Sequence, residues 1–261
     1  MTATKVEFKP CFLSPKKLQP EYPLFVYLPG MDGTGQLLRS QTAGLEMGFD
    51  VRCLAIPRQD LTTWDDLTNN VLDLIEQELS RNSQRSVYLC GESFGGCLAQ
   101  KVAIKAPHLF KRLILVNPAS SFKLRSWYVW ASPLMDLVPE WVYGVSSVGL
   151  LPFLAALTRI PENDRLELLD TVSSVPRETI IWRISLLREF EIDEVKLSQI
   201  TQPTLILASL EDRLLPSATE AERLNQLFPN SQIVTLPNSG HACLLEADIN
   251  LYKILKVNNF L

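Results

Sequence analysis

Histidine is scarce in this chain: only His108 and His241 occur among its 261 residues. Chemistry that needs an imidazole base therefore has two candidates. Cysteine is no better placed to build a centre. The five cysteines (Cys11, Cys53, Cys90, Cys97 and Cys243) are odd in number and contain no Cys-x-x-Cys pair. With so few histidines to help them, they make neither a disulfide framework nor a zinc site, and they fit a reducing, cytoplasmic compartment. No metal and no cofactor is expected. Basic charge is also short: 25 Lys and Arg against 29 Asp and Glu leave a formal charge of −4, which offers no face for nucleic acid. The N-terminal residues, Met1 to Pro10, carry charges and lack the apolar run of a signal peptide.

Long apolar runs are nearly absent too. Trp141 to Thr158 carries no formal charge and approaches the length of a spanning helix. However, Gly144, Ser146, Ser147, Gly149 and Pro152 interrupt it, and Asp136, Glu140 and Arg159 crowd its ends. A broken, amphipathic lid is expected there rather than a membrane span.

What the chain does have is a regular alternation. Leu24 to Leu28, Val51 to Ile56, Val87 to Cys90, Leu113 to Val116, Thr204 to Ala208 and Ile233 to Leu236 are short runs of β-branched and other apolar residues. Helical stretches separate them. One runs from a Thr63 cap to about Leu79, with Leu67, Val71, Leu74, Ile75 and Leu79 on a single stripe. Others cover Leu98 to Ala106, a helix capped by Ser217 with Glu220 three positions on, and Leu244 to Val257. This pattern predicts an α/β fold: a mostly parallel sheet with helices on both faces. The alternation fails between about 120 and 198, where four of the five tryptophans and Pro133, Pro139, Pro152, Pro161 and Pro176 fall. The expected organisation is a core of residues 1–119 and 199–261, interrupted by a helical lid at 120–198.

Directly behind the strand Val87 to Cys90 stands Gly91-Glu92-Ser93-Phe94-Gly95, followed by Gly96 and a helix. Strand, Gly-x-Ser-x-Gly, helix is the arrangement of a nucleophile elbow, which lifts a serine clear of its neighbours on a strained turn. A serine hydroxyl needs a base, and the base needs an orienting acid. His241 follows the last strand on a glycine-containing loop, at the sheet edge where Ser93 emerges; His108, just past a proline at a helix end, reads as a surface residue. The acid belongs on the loop after Ala208, where Asp212 is preferred over Glu211 because Asp212 to Pro216 leads straight into a helix. Ser93, Asp212, His241 is then the α/β-hydrolase order. Two backbone N–H donors must meet the developing oxyanion. Phe94 supplies one, and Met31, in the loop Pro29 to Gly35, is the best candidate for the other. That loop lacks the Lys-Ser/Thr of a phosphate loop. Asp32 within it reads as a turn residue, and Cys90 and Cys97 read as core fillers.

Leu28-Pro29-Gly30-Met31-Asp32-Gly33-Thr34-Gly35, Val51 to Pro57, Gly91 to Ala99, and Val116-Asn117-Pro118-Ala119-Ser120-Ser121-Phe122 together resemble the hydrolase half of the phytyl ester synthase/diacylglycerol acyltransferase family of plastids and cyanobacteria. The resemblance implies the α/β-hydrolase fold with its inserted cap and a Ser93 acyl-enzyme. It also implies an acyl-lipid or acyl-thioester substrate and peripheral contact with a thylakoid-type membrane surface. Members of that family carry a further acyltransferase-like domain with a His-x-x-x-x-Asp motif. Neither histidine here has aspartate five positions on. Hydrolysis, which needs only water, is therefore the leading expectation: a lipase- or thioesterase-like serine carboxyl-ester hydrolase acting on a long acyl or prenyl ester. Trp127, Trp130, Leu134, Met135, Trp141, Leu150, Leu151 and Phe153 would line its acyl groove. The alternatives are transfer of the acyl group to phytol or another lipid alcohol, and a non-catalytic ligand-binding role. Oligomeric state is not legible in the sequence.

Overall fold

The computed structural model describes residues 9–14, 18–80, 82–124 and 152–261. Its centre is a seven-stranded sheet formed by β1 (Cys11–Leu13), β2 (Leu24–Leu28), β3 (Asp50–Ala55), β4 (Val87–Glu92), β5 (Arg112–Val116), β6 (Thr204–Ser209) and β7 (Ser231–Leu236). The spatial order is β1-β3-β2-β4-β5-β6-β7. Only β1 runs antiparallel, pairing Phe12 with Leu54 on one edge. The other strands are mutually parallel.

Side-chain alternation along each strand divides the core into two layers. Leu24, Val26, Leu28, Val87, Leu89, Leu113 and Leu115 face α2 (Trp64–Leu79) and α3 (Phe94–Lys105). Phe25, Tyr27, Tyr88, Cys90, Ile114 and Val116 face the opposite way, toward α1 (Arg39–Leu45) and α8 (Leu251–Val257). Both faces of β2 to β6 are dry, which is why those strands read as nearly continuous apolar runs, while the edge strands β1 and β7 are partly exposed. Thr63 caps α2 reciprocally with Asp66, each bonding the other's backbone N–H, so the helix starts where the threonine predicts.

Two expectations are corrected. The last helix begins at Leu251, not Leu244, because Cys243–Leu245 form a single 3-10 turn and Asn250 caps the helix through Lys253 N–H. The residues between them turn the Glu246 carboxylate inward. Ser217 is no cap either: it is the first residue of α7 (Ser217–Leu227), and its side chain makes no cap bond. Its hydroxyl donates instead to Asp212, a buried carboxylate with greater need of donors, while Glu220 pairs with Arg223.

β5 and β6 are neighbours in the sheet, so everything between them leaves the sheet and returns to it. The described part of that excursion includes α4 (Glu162–Ser173), α5 (Arg177–Glu189) and α6 (Glu194–Ser198). α5 is latched to the segment after β3. Thr179 Oγ1 donates to the Arg58 carbonyl, Trp182 Nε1 to Thr62, Arg183 Nη2 to Pro57, and the Leu186 carbonyl accepts from Trp64 Nε1. Positions 179, 182, 183 and 186 are the neighbours on one helical face.

Among the described residues no helix is long and apolar enough to cross a membrane. Most of the uncharged segment 141–158 lies outside those residues.

Candidate active site

β2, β4, β6 and β7 are parallel, so the loops after them open at one edge of the sheet, and these loops carry the candidate residues. Ser93 lies between β4 and α3 with φ 51° and ψ −115°, a strained conformation for a residue with a Cβ. Its N–H donates to the Val116 carbonyl and its own carbonyl accepts from Gly96 and Ala119, which fix the turn. The turn also requires close approach. A Cβ on Gly95 would stand 2.0 Å from the Leu28 carbonyl oxygen, and one on Gly91 would stand 2.3 Å from that of Gly95.

Ser93 Oγ is 2.8 Å from His241 Nε2, and His241 Nδ1 is 2.7 Å from Asp212 Oδ2. An ionised carboxylate only accepts, so Nδ1 carries the proton and Nε2 presents a lone pair to the serine hydroxyl. Asp212 also accepts from Ser217 Oγ at 2.5 Å, and from the Leu214 and Leu215 N–H groups, both at 2.9 Å. Burial by itself would raise the Asp212 carboxyl, but His241 and these donors outweigh it and hold it below its ordinary range. Burial would likewise lower His241. The charge of Asp212, its hydrogen bond and the nearby Glu92 reverse that, leaving the imidazole more basic than usual. Glu211 is exposed on the loop and His108 is exposed at a 3-10 turn; neither joins this line.

The loop after β2 turns at Gly30–Gly33, where Gly33 N–H donates to the Gly30 carbonyl at 3.0 Å. Asp32 accepts from Thr34 N–H and Oγ1, the turn role expected of it. It is also buried within reach of the site, and a Cβ on Gly30 would lie 3.4 Å from Asp32 Oδ1 and 3.8 Å from Ser93 Cβ. Burial raises the Asp32 carboxyl against its bonds to Thr34 and the Arg183 charge. Met31 N–H takes no backbone acceptor among the described residues. Phe94 is the first residue of α3, where N–H groups have no intrahelical partner. Its ring stacks on Trp64 at 4.5 Å between centroids.

Several supporting residues gave no motif signal. Asn117, fully buried with φ 42°, donates through Nδ2 to the His241 carbonyl at 2.8 Å and to Ser209 Oγ at 2.9 Å, and accepts from Ser209 N–H. It thereby joins the acid-bearing and base-bearing loops. Glu246 accepts from Ser239 Oγ, Gly240 N–H and Arg159 Nε, bracing the residues just before His241. Behind Ser93, the Tyr27 hydroxyl donates to the Glu92 carboxylate. Burial pushes Glu92 up to about 7 despite that bond, and raises Tyr27 so that it stays protonated. An asparagine just past a strand end was a faint sequence clue. Nothing local pointed to Glu246.

Of the expected acyl-groove residues, Trp127, Trp130, Leu134, Met135, Trp141, Leu150 and Leu151 lie outside the described residues. Phe153 is 46% exposed. It lines a cleft of about 370 Å³ shared with Arg159, Glu211, Arg213 and Asn238, a cleft to which Ser93, Met31 and Phe94 do not contribute. Among the described residues no group of three His, Cys, Asp or Glu side chains is placed to hold a metal ion. Cys53, Cys90, Cys97 and Cys243 are buried thiols held protonated by burial.

The seven-stranded, mostly parallel sheet flanked by helices is that of an α/β-hydrolase, and the relatives that follow make the chain an enzyme of the serine hydrolase type. Residues 56–248 match the family described as serine aminopeptidase, S33, and the chain belongs to that family. It is 35% identical to phytyl ester synthase 1, chloroplastic, of Arabidopsis thaliana over 257 residues, covering 90% of this chain and 36% of that protein. Phytyl ester synthase 2, chloroplastic, of the same plant is 31% identical, with coverage of 91% and 38%. The chain thus spans little more than a third of the length of these relatives. The enol-lactonase of Burkholderia xenovorans LB400 shares the fold with a TM-score of 0.79 at 17% identity, covering 96% of this chain and 95% of its own.

Proposed function

We propose that the chain is a serine carboxyl-ester hydrolase that works through an acyl-enzyme on a long acyl or prenyl ester. The observation that carries this reading is the continuous hydrogen-bonded line from Ser93 Oγ through His241 to a buried Asp212, with the serine on a strained elbow. In the proposed reaction Ser93 Oγ attacks the carbonyl carbon as its proton passes to His241 Nε2. The imidazolium that forms is stabilised by Asp212, and the oxyanion accepts from Met31 and Phe94 N–H. Collapse breaks the ester or thioester bond, and Nε2–H protonates the leaving alcohol or thiol. Water, deprotonated by His241, then attacks the acyl-Ser93 carbonyl and restores the serine hydroxyl. Residues 120–198 would act as the lid of this site.

The long-chain substrate is supported by the likeness to the two phytyl ester synthases over about nine-tenths of this chain. The same likeness favours a second reading, in which a long alcohol such as phytol, and not water, resolves the acyl-enzyme.

A series of p-nitrophenyl esters of rising chain length, with wild type against Ser93→Ala, tests the first reading. Turnover is expected to rise with acyl length and to fall by about 10⁵-fold or more in the variant. Preference for acetyl esters would remove the lipid substrate, and unchanged turnover in Ser93→Ala would remove the mechanism. Adding phytol to the same assay separates the two readings through the yield of phytyl ester relative to free acid.

A further inference from the structure

Arg183 is an unusual residue to find in the middle of α5. It interrupts the apolar run Ile180-Ile181-Trp182-Arg183-Ile184, yet only 2% of its surface is exposed. A guanidinium taken out of water is costly unless its donors are used. Here Nη1 donates to the Met31 carbonyl at 2.6 Å and Nη2 to the Pro57 carbonyl at 3.4 Å. The fork therefore joins the loop after β2 to the segment after β3. Gly33 leaves room for it: a Cβ there would come within 2.7 Å of Nη1 and 2.9 Å of Nη2, at a φ of 71° that already favours glycine. Two carboxylates, Asp32 and Asp60, lie near enough to stabilise the cation.

We propose that Arg183 is a positioning residue for the oxyanion hole, reaching in from the segment between β5 and β6 to hold the Met31 backbone at the angle the reaction needs. The proposal rests on the hydrolase reading above. Met31 and Asp32 are the central residues of the Gly30–Gly33 turn, and φ and ψ at Met31 set the angle between the peptide plane that carries its N–H and the one that carries its carbonyl. The Gly33–Gly30 bond closes the turn, and the Asp32–Thr34 bonds fix its far side. The Arg183–Met31 bond fixes the Met31–Asp32 peptide plane, which joins at the Met31 Cα the plane carrying the N–H that must face the oxyanion. α5 cannot shift to release it without breaking the Thr179, Trp182 and Leu186 bonds as well. Sequence distance hides the connection, since 152 positions separate the two partners. The positive charge beside the loop adds to the field that favours an oxyanion.

Arg183→Met and Arg183→Lys test this with three readouts: steady-state kinetics on the best p-nitrophenyl ester, affinity for a trifluoromethyl ketone that mimics the tetrahedral adduct, and rescue by millimolar guanidinium. A positioning role lowers kcat by about 10–100-fold and leaves KM within about twofold. Ketone affinity falls by the same factor, and added guanidinium restores part of kcat in Arg183→Met. Should the methionine variant not fold, the lysine variant decides, because it keeps the charge and the stem but loses the two-pronged fork. Kinetics and ketone affinity within twofold of wild type in a folded variant overturn the proposal. So does a structure of the wild-type ketone complex in which Met31 N–H points away from the oxyanion. Loss of the hydrolase reading has a different signature, since wild type itself then shows no Ser93-dependent turnover and no ketone binding.

Discussion

Ser93 has two flanks, and they are held by different means. On the His241 side the parts come from the sheet itself: Asp212 follows β6, His241 follows β7, and Asn117 at the end of β5 ties both loops together through Ser209 and the His241 carbonyl. Each group there is braced by neighbours close in the strand order. On the Met31 side the loop after β2 leans on a helix from the β5–β6 excursion, through a single buried arginine. The first flank is redundant and built within adjacent strands of the sheet, and the second depends on a contact from outside it. In the proposed reaction the acid and base come from loops of the sheet, and the oxyanion's side leans on the segment between β5 and β6.

The comparison is sharpest at Asp212. Asp212→Asn keeps the shape of the His241 flank but loses the anion that sets the Nδ1–H tautomer and stabilises the imidazolium. Turnover is expected to fall by about 10³–10⁴-fold. Steady-state kinetics on a p-nitrophenyl ester checks it, and a fall smaller than that of Arg183→Met would show the two flanks to be ranked the other way.

Asn117→Ala probes the redundancy of the His241 flank. It removes the bonds to Ser209 and the His241 carbonyl and leaves a residue ill suited to φ 42°. A loss of about 2–3 kcal/mol in stability by urea unfolding and a drop of about 10–100-fold in kcat are expected. If kcat holds while stability falls, Glu246 and the Asp212 donors position His241 without it.

The smallest effect is expected from Glu92, which lies behind both flanks. When ionised it favours the protonated imidazole, so it raises His241. Its own carboxyl titrates at about 7 because burial opposes ionisation. In the proposed reaction turnover requires neutral His241 and therefore appears as pH rises through the His241 pKa. Glu92→Gln removes the carboxylate, so the acid limb of the kcat/KM profile should move to lower pH, with less than about a tenfold change near neutrality. A limb that stays in place would show that Tyr27 and the apolar surroundings screen Glu92 from the site.

Much of the core was legible because its physics is periodic. Leu24–Leu28 and Thr63–Leu79 fall at their expected places, one as a dry strand and the other as a capped amphipathic helix. The elbow was legible because two glycines and a serine at fixed spacing meet a steric requirement that few other residues satisfy. Ser217 and the last helix were misread for a common reason. Local capping and helical patterns lost to buried carboxylates, Asp212 and Glu246, that drew a hydroxyl and a chain segment toward themselves. Asn117 and Arg183 left only traces, an asparagine at a strand end and a charge in an apolar helix, neither of which names its partner.

The sequence by itself determined the layered α/β sheet, the strained serine turn and the strands that Ser93, Asp212 and His241 follow. These depend on alternation, on glycine where backbones touch, and on which loop follows which strand. Tertiary structure decided how the site is held. Asn117 crosses 124 positions to the His241 carbonyl, and Arg183 crosses 152 to Met31. Contacts of that range arise from packing of the finished layers, and a buried donor takes whichever carbonyl the fold brings to it.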